Sequence, residues 1–423
     1  MPYLPRTVDE ELDELLAAAP AVAIDGPKGV GKTETAARRA TMSWMLDDPA
    51  QLALVEADPA FANAASGTLL IDEWQRLPAV WDVIRRQVDA GAPPGRFLLT
   101  GSATPPSEAV THSGAGRILS LRMRPMALHE RHHAVTTSSD APPLISLGDL
   151  LAGASPAIAG ATHQTLADYL DAIESSGFPG IAGQPLRLRR ALLDSYLQRV
   201  IDRDLPDLGF GVRRPETLRR WLAAYAAASS SAASYSTILD ATTAGDGSQP
   251  AKTTTIAYRD HLTRLWLLDP VPGWSPSRGA FARLQQAPKH QLADPALAAR
   301  LLNLSAAALA TARGSHMAGP LFESLATLTV RVAAQAAQAR VGHLRTRNGD
   351  HEVDLIVEGP EGQVLGIEVK LAASVTDADV RHLHWLRDRI PTDIVDLMVI
   401  TTGRQAYRRR DGIAVVPLAL LSA

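Results

Sequence analysis

The residues with the clearest chemical meaning lie at positions 26–33, Gly26-Pro27-Lys28-Gly29-Val30-Gly31-Lys32-Thr33. A glycine-rich turn of this pattern lets backbone N–H groups converge on the β- and γ-phosphates of a nucleotide, and the helix that follows turns its positive end to the same anion. Lys32 is expected to neutralise phosphate charge and Thr33 to ligate Mg²⁺ through its hydroxyl. Further along, the apolar run Leu69-Leu70-Ile71 closes on Asp72 and Glu73. Asp72 is placed to hold Mg²⁺ through water, and Glu73 to polarise the attacking water. A third run, Phe97-Leu98-Leu99, emits Thr100 and Ser102 where ligands of parallel sheets bind. Either hydroxyl would sense the γ-phosphate; for Ser102 a capping role reads equally well.

A second constellation lies near the C-terminus. Asp354 falls in one strand and Glu368-Val369-Lys370 ends the next, after a hairpin through Gly359-Pro360-Glu361-Gly362. Side chains alternate along a strand, so Glu368 and Lys370 share a face. Two carboxylates on adjacent strands would hold Mg²⁺, with Lys370 beside the water it activates. This D…E-x-K arrangement resembles the restriction-endonuclease-like nuclease fold, and Glu323 on the preceding helix matches a further acid of that fold. The same short pattern also describes a salt-bridged hairpin, and a nuclease-like domain that binds without cutting stands beside cleavage as an alternative. His343, His351, His382 and His384, with the pair His132-His133, lack ligand spacing and read as solvated surface.

These residues need elements to position them. Leu12, Leu15 and Leu16 give residues 8–19 a helical period, and Pro20 ends it before the buried strand 21–24. Residues 32–45 read as helix. The runs 68–71 and 97–99, separated by a helical pattern through Val80, Ile84 and Val88, predict parallel strands buried on both faces. The stretch 132–161, with Pro142-Pro143 at its middle, is a candidate boundary or mobile loop. Residues 165–204 are helical around Gly177-Phe178-Pro179-Gly180 and read as a lid. Three helical patterns in 215–268 followed by an extended segment suggest a winged helix. A long helix at 319–339, strands at 352–357, 364–369 and 394–400 and a helix at 377–389 form a second α/β unit, while Arg313-Gly314-Ser315-His316-Met317 reads as loop.

Composition bounds the function. The 423 residues predict two to four domains of roughly 100–200 residues. A net charge of −3 confines any nucleic-acid contact to a local patch. The absence of cysteine excludes disulfides, thiolate metal sites and a cysteine nucleophile. No apolar run has signal-peptide or membrane-spanning character, so a cytoplasmic setting without membrane partners is expected.

The order GPKGVGKT, LLIDEWQ, FLLTGSA and GRILSLRMRPMALHE resembles the prokaryotic P-loop ATPases of the AAA superfamily that carry a C-terminal DUF4143 region. The likeness continues through YLQRVIDRD (196–204), KHQLADP (289–295) and GPLFE (319–323). Glu34 stands where that family commonly has threonine, and Lys28-Gly29 replaces Arg-Gln, without loss of a phosphate or metal ligand. The resemblance implies an α/β fold: an AAA-type parallel-sheet ATPase core (1–138), a helical lid (139–205), a winged-helix middle domain (206–287) and a restriction-endonuclease-like α/β domain (288–423). It implies a nucleotide cradle over residues 26–34, ATP and Mg²⁺ as cofactors, and Arg117 as a sensor, a residue reaching a neighbouring active site, or a structural arginine. In the middle region Lys252, Arg259 and Arg264, with the hydroxyls of Thr253, Thr254 and Thr255, are candidate phosphate contacts. Two functions follow: ATP hydrolysis coupled to DNA or RNA, or a nucleotide-dependent switch for a protein partner, either one open to homo-oligomers.

Overall fold

Apolar segments too short for helices and interrupted by helical patterns must pair as parallel strands, and three of them do so here, joined by two strands without such a run. In this computed structural model, β1 (Ala21–Asp25), β2 (Met42–Met45), β3 (Leu69–Asp72), β4 (Phe97–Gly101) and β5 (Leu119–Arg122) form a parallel sheet of order β2-β3-β4-β1-β5. The structure describes residues 3–58, 66–103, 114–133, 144–153, 156–242, 250–276, 287–346 and 349–423; Pro142-Pro143 and the boundary expected near residue 138 lie outside these. Val22, Ile24, Leu70 and Leu98 enter one core, whereas Ala21, Ala23, Leu69, Ile71, Phe97 and Leu99 enter another. Both faces are covered, which is why these strands read as continuous apolar runs. The helix expected over 32–45 stops at Ala37, and β2 follows it. As an edge strand with no fully buried residue, β2 carries no apolar run to announce it.

The second unit is built on the helix Ser315–Ala336, apolar around most of its circumference because elements pack on it from several sides. It begins at Ser315, so the stretch read as loop supplies its first turn. β8 (Arg340–Arg345), β9 (Glu352–Glu358) and β10 (Val364–Lys370) pair antiparallel, and the helix Asp377–Arg389 returns the chain so that β11 (Ile394–Thr401) joins β10 in parallel. β13 (Ala414–Pro417) and β12 (Gln405–Arg408) extend the sheet. Its far edge is β7 (Gly160–Ala161), while β6 (Ile145–Ser146) pairs with β14 (Leu421–Ser422). Part of the segment expected in the lid thus completes the C-terminal sheet. His343, expected at the surface, is buried and bonds the Ala287 carbonyl through Nε2.

Between these units lie the helices Leu166–Ser175, Pro179–Ala182 and Leu186–Arg199, then Pro215–Ala227, Tyr235–Thr242 and Lys252–Arg264. The chain after the last helix pairs antiparallel with the segment around Lys289, through Val271–Lys289 and Leu268–Leu292. No described helix is long and apolar enough to cross a membrane.

The three parts meet at Asp269. Its carboxylate lies 2.9 Å from Arg124 just after β5, 3.1 Å from Arg331 of the long helix and 3.7 Å from Arg122, whose guanidinium also covers the Trp266 ring. Burial alone would raise the Asp269 pKa, but the three arginines override it and hold the carboxyl well below the usual range. Asp269→Ala leaves three buried cations without their counter-charge and is expected to cost about 3–5 kcal/mol of stability in chemical denaturation; a change under about 1 kcal/mol would show that the cluster holds nothing together.

Candidate functional site

The phosphate loop joins β1 to the helix Lys32–Ala37. Gly31 adopts φ 105°, a left-handed conformation that glycine takes at little cost. A Cβ on Gly26 would sit 2.1 Å from the Met123 carbonyl oxygen, so a larger residue there would displace β5 from its neighbour. Arg6 fixes the loop from outside: its guanidinium donates to the Val30 carbonyl at 2.8 Å and pairs with buried Glu130 at 3.2 Å. Lys32 is buried and donates to the carbonyls of Gly26 and Pro27 at 2.8 and 2.9 Å. Burial pushes its ammonium down to about 8, against the pull of Glu73, Asp72 and Asp25. An anionic phosphate in the loop would restore the favourable field. Lys28 is turned outward to Asp204 at 2.5 Å, and Glu34 is exposed on the first helical turn.

Register brings the residues expected to hold metal and water to the same edge, because Asp72 stands beside Thr100 and Asp25 beside Gly101. Thr33 Oγ1 donates to Asp72 Oδ1 at 2.8 Å, and the Thr100 hydroxyl donates to the same oxygen. Thr100, expected to sense the γ-phosphate, is therefore bound to the aspartate. Glu73 has φ 54°, a left-handed conformation rare in a residue with a side chain. Its carboxylate accepts from Ser102 Oγ at 2.8 Å and from the Gln75 amide. Ser102 is thus neither a simple cap nor free; with Gln75, which the sequence reading missed, it holds Glu73 in place. Arg117 precedes β5, at the sheet end opposite the loop, where it pairs with Asp89 at 2.9 Å. The reading of Arg117 as a sensor of its own nucleotide fails on this geometry.

The helical segment 166–199 reaches the loop at its turn Gly177-Phe178-Pro179-Gly180. The Phe178 ring would lie 3.8 Å from a Cβ on Gly29, and Pro179 3.9 Å from one on Gly31. Asp294 secures this turn: one carboxylate oxygen accepts from Ser176 Oγ at 2.7 Å and Gly177 N at 2.6 Å, while the other caps the helix Pro295–Leu301 through Ala296 N. Ser176 is held at φ 75° by this contact.

At the C-terminal acids the structure departs from the expected metal site. Lys289 is 1% exposed and its Nζ lies 2.8 Å from Asp354, 2.9 Å from Glu323 and 3.2 Å from Glu352. The ammonium takes the place proposed for Mg²⁺ between Glu323 and Asp354, and among the described residues no group of three His, Asp or Glu side chains is arranged to hold a metal. Glu368 and Lys370 share a face as alternation requires, 3.1 Å apart, but their contact is an ion pair. Asp354 Oδ2 accepts from Val369 N. Burial would raise Asp354, yet Lys289 holds it well below the usual range; burial and the Asp354 charge push Glu368 up. The unmatched acids Glu323, Glu352 and Asp354 were the available signal that a buried cation must come from elsewhere in the chain. In the middle region Arg259 is engaged by Asp260 and by the Tyr235 ring, whereas Lys252 and Arg264 are exposed at opposite ends of one helix.

Removing the ammonium by Lys289→Met strands Glu323 and Asp354 in a buried site, with an expected cost of about 3–5 kcal/mol at pH 8. Without their cation the folded-state carboxyl pKa values lie above the unfolded ones, so stability is present at low pH and lost as pH rises through the raised values. Denaturation midpoints of the variant should therefore recover toward pH 5; equal destabilisation at both pH values would contradict this account of Lys289.

Comparison with known proteins follows the same division. Residues 18–132 match the model described as AAA domain, 159–308 the domain of unknown function DUF8612, and 318–421 the domain of unknown function DUF4143. Uncharacterized protein Rv2008c of Mycobacterium tuberculosis and Uncharacterized protein Mb2031c of Mycobacterium bovis are each 27% identical over 421 residues, 97% of this chain and 83% of theirs. Among solved structures, a Walker-type ATPase of Pyrococcus abyssi superposes with TM-score 0.38 at 13% identity, over 71% of this chain and 96% of that one. A RuvB variant of Thermotoga maritima gives 0.26 at 20%, over 63% and 89%. With scores this low, the parallel-sheet assignment rests on strand order. The AAA match spans the phosphate loop and the acidic strand ends, and the DUF4143 match spans the second sheet, so each of these segments is similar to a known domain family.

Proposed function

We propose that the chain hydrolyses ATP with Mg²⁺ and uses the nucleotide state to control how its middle and C-terminal regions engage nucleic acid. The convergence of Lys32, Thr33, Asp72 and Glu73 at one sheet edge carries the catalytic half of this reading. The donors fit a hard cation: the Thr33 hydroxyl and Asp72 carboxylate would hold Mg²⁺, which when bound neutralises charge on the phosphates. Lys32 would leave its two carbonyl partners for the phosphates. Glu73 orients the attacking water once Ser102 and Gln75 release it.

The proposed division keeps an ATPase core (1–138), a lid (139–205) whose residues 145–146 and 160–161 pair with C-terminal strands, a winged-helix-like region (206–287) and a restriction-endonuclease-like region (288–423). Three helices followed by an antiparallel ladder support the winged-helix part, with Lys252 and Arg264 as phosphate contacts. The half-exposed Arg117 side chain, at the far sheet end, is suited to a second copy in a homo-oligomer. One observation favours the second reading for the C-terminal region: with Lys289 among its acids it serves as a binding module, for nucleic acid or a protein partner, and does not cleave.

Two experiments test this. Turnover of ATP should be stimulated by DNA or RNA, abolished by Lys32→Ala through loss of binding, and lowered about 10²–10⁴-fold by Glu73→Gln with binding retained. Turnover and retention indifferent to every nucleic acid would leave the protein-partner switch standing. Second, ATP affinity should fall about tenfold per unit as pH rises above about 8, with proton uptake on binding in calorimetry, because the free site loses the Lys32 charge there; a flat profile from pH 7 to 9.5 would show that Lys32 is not the phosphate-binding cation.

A further inference from the structure

Two thirteen-residue helices, Pro215–Ala227 and Lys252–Arg264, begin on one cavity of about 510 Å³ that shares no residue with the phosphate loop. Neither helix has a side-chain cap at its N-terminus, so both turn the positive ends of their dipoles there, although Pro215 has no N–H and the Thr217 and Thr254 amides are bonded within their own first turns. Arg213 and Arg214 line the same space, exposed and without an ion pair among the described residues. The one acid in these first turns, Glu216, is directed to Arg219 at 3.5 Å.

The wall itself points to an occupant. Thr217 and Tyr258 line the cavity at 7% and 4% exposure, and neither hydroxyl has a hydrogen-bond partner among the described residues. The residues are buried while their hydroxyl oxygens stay accessible, so both groups are open to a hydrogen-bonding occupant of the cavity. Beside them the Phe210 ring meets Tyr258 edge-on at 5.9 Å and stacks on His261 at 4.5 Å, giving the cavity an apolar side. Positive charge, two unpaired hydroxyl groups and an aromatic wall in a volume typical of small-molecule sites suit a phosphate ester on a flat or apolar body.

We propose that this cavity is a second ligand site, separate from the ATP site, that takes a phosphate monoester of nucleotide size. Arg213, Arg214 and the two helix N-termini bind the phosphate, Thr217 and Tyr258 fix its orientation by hydrogen bonds, and Phe210 packs on the body. The assignment is independent of whether the middle region engages nucleic acid.

The test uses the full chain carrying Lys32→Ala, which silences the phosphate loop, titrated calorimetrically with adenosine monophosphate, adenosine, and a dinucleotide with and without its 5′-phosphate. One-site binding of the monophosphate, absent for adenosine, is expected, with Arg213→Ala/Arg214→Ala weakening it more than tenfold and Tyr258→Phe or Thr217→Val weakening it about 3–10-fold. Binding of the phosphorylated dinucleotide alone would identify the same phosphate chemistry at a strand end. Thermal midpoints of the variants check folding, and the two arginines are exposed, so loss of binding with an unchanged midpoint reads the site. No binding by any phosphorylated probe, affinities unmoved by these substitutions, or binding only of long oligonucleotides regardless of a terminal phosphate would overturn the proposal.

Discussion

Lys289 is a lysine with almost no exposed surface, and its ammonium has three carboxylates within 3.2 Å. A buried cation is tolerable only when its partners are all in place, so the long helix (Glu323) and β9 (Glu352, Asp354) must keep their positions together. The backbone of Lys289 is also committed, since it exchanges both hydrogen bonds with Val271 after the last middle-region helix. A few residues on, Asp294 grips Ser176 and Gly177, whose turn sets Phe178 and Pro179 against the phosphate loop. One short extended segment therefore has its first residue among the C-terminal acids and its last beside the nucleotide site.

This arrangement gives the ATP site a physical route to the rest of the chain. Phe178 and Pro179 rest on the same glycine-rich loop whose carbonyls hold Lys32. The glycine turn is bonded to Asp294, and the strand that carries Asp294 pairs at Leu292 with Leu268 and at Lys289 with Val271. Asp269 stands at the same strand pairing, tied to the ATPase unit by Arg122 and Arg124 and to the long helix by Arg331. Lys289 and Asp269 are both centres of charge clusters in which each partner lost leaves an uncompensated charge.

Much of the ATP site was legible in the sequence because its chemistry is local. The spacing of Gly26, Gly31, Lys32 and Thr33 belongs to a single turn, and an apolar strand ending in Asp72 and Glu73 carries its own signal. The partners of those residues were not legible. Thr100 bonding Asp72, and Ser102 and Gln75 holding Glu73, depend on which strands are neighbours, which composition does not state. β2 escaped notice because an edge strand needs no apolar run.

At the second constellation, local pattern placed Glu368 and Lys370 on one face of a strand and Asp354 on the next, and the sheet has them so. The pattern around them left the cation open. Lys289 is remote in sequence from Asp354 and reaches it only after the chain has folded back along residues 268–271, a long-range pairing with no local signature. The sequence by itself determined the phosphate loop, the acidic strand ends and the α/β class, since each rests on contacts within a turn or on strand periodicity. Only the tertiary structure decided that an ammonium occupies the place expected for a metal, and that the same segment reaches Ser176 and Gly177, because burial and counter-charge are properties of neighbours in space.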